Sequence, residues 1–124
     1  MTPLLAIRLA MMGGVLLFGG VSWFLHRTPD WTPADTVAVD SLVMVGRFMW
    51  IGVILGLAAL WFRSRSSTSA AQSSTFAIIA WSLGETLALF GGVLYFLSDV
   101  TGWYVAGVLL LAITFVVFPG TLQA

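Results

Sequence analysis

The chain has 124 residues, 60% of them hydrophobic and 8% charged, whereas an ordinary soluble domain carries about a quarter charged residues. That composition excludes a soluble surface. A formal net charge of zero with only five basic residues excludes a nucleic-acid face, and the absence of cysteine removes disulfides, thiolate metal sites and cysteine nucleophiles.

Four apolar blocks, at residues 4–25, 41–62, 76–97 and 102–118, approach or reach the roughly 20 residues that a helix needs to cross hydrocarbon. A closed barrel would need polar and apolar residues to alternate, yet residues 105–118 are apolar almost throughout. The expected fold class is therefore all-α: a single domain, an integral membrane bundle of four transmembrane helices.

The first block holds Arg8, is longer than a secretory signal core and precedes no small-residue cleavage pattern, so it is expected to stay as a membrane helix. Its Ala6, Ala10, Gly13 and Gly20 share one helical face, with Arg8 almost opposite. The segment 26–40 contains Pro29, Trp31, Pro33 and Asp30, Asp35 and Asp40, a surface turn leading to a helix start near Asp40 or Ser41. In the second block Gly52, Gly56 and Ala59 form a small-residue seam, and Arg47 lies within the apolar span. The segment 63–75, rich in Ser, Thr and Ala, reads as a flexible linker. The third block carries Ala77, Gly84, Ala88 and Gly91 along one stripe; the fourth is richest in Leu, Val and Phe. Small residues permit the close contact that holds helices together in lipid. The first three helices are thus expected to form the tight centre, with the fourth covering them or facing lipid.

Arginines mark the cytoplasmic side of a membrane protein. Arg8, Arg63 and Arg65 fall on one side with both termini, while Asp30, Asp35, Asp40 and Asp99 fall on the other with His26 and Arg27. Both termini are expected in the cytoplasm, and the membrane is expected to be a bacterial inner membrane. Trp23, Tyr95, Trp103 and Tyr104 are expected as interfacial anchors on the outer side and Trp61 on the inner one.

Glu85 is the most informative residue, because it stands near the middle of the third block. An ionised acid at the centre of a membrane helix costs about 2.5–3.5 kcal/mol on insertion scales, so it must pair, meet water or hold its proton. Ser82 is its near neighbour on the helix, and Arg47 is its candidate partner across a depth difference of roughly 9 Å at 1.5 Å per residue. Glu85, Arg47 and Ser82 form the candidate ion or proton site. His26 reads as a solvated boundary residue. One histidine, no lysine and no paired carboxylates at depth argue against an enzyme, and no cofactor or metal is expected.

The stretch Ile78-Ile79-Ala80-Trp81-Ser82-Leu83-Gly84-Glu85-Thr86-Leu87-Ala88-Leu89-Phe90-Gly91-Gly92-Val93-Leu94 resembles the acidic helix of the proteolipid c subunits of rotary ATPases, where a buried acid is followed by small and aliphatic residues and a glycine. The resemblance spans one helix and implies that Glu85 is an ion-binding carboxylate. The chain also resembles small uncharacterised four-helix bacterial membrane proteins, which implies no activity. Small multidrug resistance transporters are similar in length and helix number, but their membrane glutamate lies in the first helix. Two functional expectations follow. The first is an accessory or assembly subunit whose partners are the lipid bilayer and other membrane subunits or itself; the alternative is a proton- or cation-coupled channel or transporter using Glu85.

Overall fold

A computed structural model describes residues 3–65 and 69–118. They form four helices: α1 (Pro3–His26), α2 (Thr36–Ser64), α3 (Ala70–Ser98) and α4 (Gly102–Val117). The first three have 24, 29 and 29 residues, or about 36–44 Å at 1.5 Å per residue, against a hydrocarbon thickness of about 30 Å. Each is long and apolar enough to cross a membrane. Helix α4 has 16 residues and, at about 24 Å, is shorter than that thickness.

Local chemistry sets these boundaries. Helix α2 starts earlier than the expected Asp40 or Ser41, because the Asp35 carboxylate accepts a hydrogen bond from Val37 N at 3.3 Å and caps the first turn. Helix α3 also starts early. Ser69 Oγ accepts from Gln72 N at 3.1 Å, so much of the expected linker 63–75 is helix; residues 66–68 lie outside the described residues. Helix α4 ends at Val117; Phe118, with φ −117° and ψ 80°, leaves the helical region while its N–H still donates to Thr114 O at 2.9 Å. Asp99, with φ 62°, occupies the left-handed position that closes α3. Its N–H donates to Tyr95 O at 2.8 Å, and the chain turns directly into α4.

That short connection decides the packing. Helix α3 touches each of the other three and meets α4 most extensively, while α1 and α2 do not pack against one another among the described residues. The expected centre of the first three helices is therefore corrected: the central pair is α3 and α4. The reason is one well-placed glycine on α4. A Cβ on Gly107 would stand 2.5 Å from Ala88 Cα, and one on Gly84 would stand 3.1 Å from Leu111 Cα. At Gly91 it would run into the Trp103 backbone. These contacts bring the two backbones close along the stripe of Gly84, Ala88 and Gly91.

The other seams are not built in the same way. Gly56 would meet Leu83 at an ordinary 3.5 Å, but nothing lies within 4 Å of a Cβ at Gly13, Gly20 or Gly52. Helix α1 turns its opposite face inward, burying Val15, Gly19 and Ser22 and directing Arg8 and Met11 toward α3. Tyr95 and Tyr104 also pack against neighbours within the bundle. Tyr95 is 6% exposed, stacks on Tyr104 at 5.9 Å, and the Tyr104 hydroxyl donates to Val15 O at 2.7 Å. Phenolic groups inside the bundle need such acceptors.

Candidate functional site: a mid-helix acid beside an open groove

Glu85 is half-buried near the midpoint of α3. Successive helical residues are about 100° apart, and the known contacts orient α3 on that scale. Gly84, Ala88 and Gly91 face α4; Trp81 and Gly92 face α1 through Arg8 and Phe18; Leu83 and Phe90 face α2 through Gly56 and Gly46. Glu85 sits about 40° from Trp81 and about 140–160° from the α2-facing residues, so it lies on the α1 side.

This geometry separates the expected site residues. Arg47 is exposed on α2, on the far side of α3 from Glu85, and makes no ion pair with it. The expected pairing relied on the long guanidinium side chain spanning a depth difference of roughly 9 Å; rotation about α3 overrides it. Ser82 also turns away from the acid, because its hydroxyl donates to Ile78 O at 2.8 Å, and Thr86 in the same way donates to Ser82 O at 2.8 Å. Glu85 receives no hydrogen bond and no ion pair from any described residue.

The groove between α1 and α2 explains its surroundings. On the same projection Ser82, Thr86, Leu89 and Val93 face the unfilled side of α3, and all are exposed. Gly14 and Ala10 on α1, with Gly52 and Ala59 on α2, point toward that side and are exposed. Glu85 stands at the α1 edge of this trough, whose floor carries Ser82 and Thr86 beside Leu89 and Val93 and whose walls include these small residues. A trough of that form accepts a further helix at close range.

Sequence reasoning missed two constellations. The first involves Arg8, whose guanidinium lies 4.6 Å from the centre of the Trp81 ring and 5.9 Å from that of Phe115. The fully buried Trp81 donates its indole N–H to Phe118 O at 2.9 Å and Thr114 O at 3.2 Å. It thereby satisfies carbonyls at the C-terminus of α4, where the helix dipole also favours a cation. The available signal was the need of a buried indole N–H for an acceptor.

The second lies at the opposite end of the bundle. His26, read as solvated, has a side chain only 6% exposed. Its Nε2 meets Phe96 O at 2.8 Å and its Nδ1 meets Asp99 Oδ1 at 2.9 Å, with the Trp31 ring at 4.1 Å and Tyr95 edge-on at 4.8 Å. Both ring nitrogens face acceptors, so a ring protonated at both positions donates both bonds. The imidazole ties α1, the following loop and the end of α3 together. No group of His, Cys, Asp and Glu suited to a metal occurs among the described residues.

Compared with known proteins, the chain matches no family model, no curated protein and no solved structure. The reading of its function therefore stands on the site.

Proposed function

We propose that the chain is a small accessory or assembly subunit of a membrane complex or homo-oligomer, whose α1–α2 trough receives a helix from another chain. The observation that carries this reading is the placement of Glu85. An acid at mid-bilayer depth is retained where it finds a partner, and Glu85 has none among the described residues of its own chain. The outward-facing small residues support the same reading. Gly13, Gly14, Gly20 and Gly52 have open space where a side chain would stand, which suits an intermolecular contact in lipid.

In this account all four helices span a bacterial inner membrane. Arg63 and Arg65 lie on the cytoplasmic side with both termini, following the arginine bias, and local thinning of the bilayer accommodates the short α4. The test is native mass spectrometry of the protein extracted gently from its membrane, beside Glu85→Gln. The subunit reading expects the wild type to travel in a larger assembly that the substitution weakens. A monomer, or an assembly indifferent to the substitution, would overturn it.

The unpartnered acid also favours a second reading, a proton- or cation-coupled channel or transporter with Glu85 as the titrating group. Its polar surroundings are sparse: the Ser82 and Thr86 hydroxyls are committed to backbone carbonyls. Proton flux in liposomes that is lost in Glu85→Gln would support this alternative.

A further inference from the structure

Two side chains of opposite charge stand on different flanks of the molecule, within its apolar spans. Glu85 lies at the α1 edge of the trough. Arg47 projects about 100° from the buried Gly46 of α2 and about 60° beyond Trp50, which lines a depression with Trp103 and Ala106 of α4. It is exposed, and it lies about 120–140° from Gly52 and Ala59, the residues that α2 gives to the trough. Neither charge has a hydrogen bond or ion pair with any described residue.

Contacts between α2 and α3 give their relative depth. Gly46 meets Phe90, and Gly56 meets Leu83, so the level of Glu85 on α2 falls between Ile51 and Ile54. Arg47 is about four to seven residues from that level, roughly 6–10 Å toward the end bearing Asp99. Its long stem and the glutamate side chain together cover that difference. Depth therefore permits the pair, and only azimuth forbids it within one chain. A rotation about the membrane normal keeps depth and changes azimuth, so it can bring the Arg47 flank of one copy to the trough of the next.

We infer that the helix received by the trough is α2 of a second copy of this chain, with Arg47 of that copy paired to Glu85. This identity rests on the trough receiving a helix at all. Two charges that are each costly in hydrocarbon then meet in a charge-assisted hydrogen bond. The shapes agree as well: Ile51 and Ile54, both exposed beside Arg47 on its flank, enter where Ala10, Gly14, Gly52 and Ala59 leave room. Trough and inserted flank are different faces of one chain, so the contact is head to tail and repeats from copy to copy, closing into a ring about the membrane normal. In a bicelle holding one copy the pair does not form, and the two residues are uncoupled there.

Two differently tagged copies, co-expressed in the native membrane, test this. One carries Thr86→Cys on the trough floor and the other Ile51→Cys on the Arg47 flank, positions at one level by the contacts above; an oxidant then joins the cysteines that meet. A disulfide-linked adduct bearing both tags is expected, with little from either copy alone, because a head-to-tail contact keeps like positions apart. Arg47→Gln and Glu85→Gln are then added in two arrangements. With Arg47→Gln on the Thr86→Cys copy and Glu85→Gln on the Ile51→Cys copy, the linked contact keeps its charge pair and the adduct should persist. With the two exchanged, the same contact loses both charges and the adduct should fall severalfold. Both samples hold the same substitutions, so equal yields in the two arrangements would overturn the pairing. Absence of any adduct bearing both tags would overturn the second copy as occupant. A photo-crosslinker on Thr86→Cys then separates the two levels: an adduct with a different protein leaves the helix-binding trough standing, and an adduct with lipid alone removes both.

Discussion

Trp81→Phe tests how α4 is terminated inside the bundle. The indole N–H is the side-chain donor to Phe118 O, at 2.9 Å, and it also reaches Thr114 O, which independently accepts from Phe118 N at 2.9 Å. Phenylalanine leaves Phe118 O without that donor, and stranding one buried carbonyl costs about 1–3 kcal/mol. Hydrogen bonds measured within membranes lie toward the lower figure. Shrinking a fully buried ring adds about 1 kcal/mol from lost contacts, including part of the stacking with Arg8.

The expected total is about 2–4 kcal/mol, or about a 25- to 700-fold fall in the folded population at 1.4 kcal/mol per tenfold. Reversible unfolding in bicelles, read by steric trapping, measures it. Trp61→Phe is the control, because Trp61 is 43% exposed and touches Phe118 only ring to ring, at 6.4 Å; its cost should stay below about 1 kcal/mol. Hydrogen exchange should quicken at the end of α4 in the Trp81 variant alone. If the two substitutions cost the same, the capping role assigned to Trp81 is refuted.

The glycine contacts sort in the same assay. Gly107→Ala forces a methyl against Ala88 Cα and should destabilise by about 1–3 kcal/mol, whereas Gly13→Ala enters open space and should be neutral or, through helix propensity, stabilising by up to about 1 kcal/mol. A double-mutant cycle of Arg47→Gln with Glu85→Gln should give a coupling energy within about 0.5 kcal/mol of zero; a larger coupling would restore the pairing that the orientation of α3 rules out. His26→Phe removes both bonds of the ring and should lower stability by about 1–3 kcal/mol.

Much of the fold was legible because uninterrupted apolar length admits few structures other than helices in hydrocarbon. The stripe of Gly84, Ala88 and Gly91 was equally legible as a set of residues that permits close approach. What the sequence did not specify was rotation. A helix such as α1 carries leucines on its outward face, with Leu9, Leu16 and Leu17 exposed, so hydrophobicity does not mark which side turns inward when the solvent is itself apolar. The expected seam of Ala6, Ala10, Gly13 and Gly20 was a real stripe, but Arg8 opposite it faces the bundle, where Trp81 and the end of α4 receive it.

The same ambiguity separated the candidate site. Glu85 and Arg47 were paired across a depth difference of roughly 9 Å, which the rise per residue gives, while their azimuths depend on how α2 and α3 face one another. Leu83 against Gly56 and Phe90 against Gly46 fix those azimuths, and neither contact is encoded in a local pattern. Helix starts were missed for a simpler reason. Asp35 caps the turn Thr36-Val37-Ala38-Val39 ahead of Asp40, and Ser69 caps a turn of alanine, glutamine and serine, so the helices extend beyond the apolar blocks.

The central claim is that a helix from another chain lies over Glu85. Because the native chain has no cysteine, single cysteines at Ser82, Leu89 or Val93 can carry a photo-crosslinker in the native membrane, with Ile113, exposed on α4, as the reference position. The account predicts one discrete protein adduct from the three trough positions, none from position 113, and loss of that adduct when Gly52→Leu fills the trough. Crosslinking to lipid alone at all four positions, or an adduct indifferent to Gly52→Leu, would contradict it.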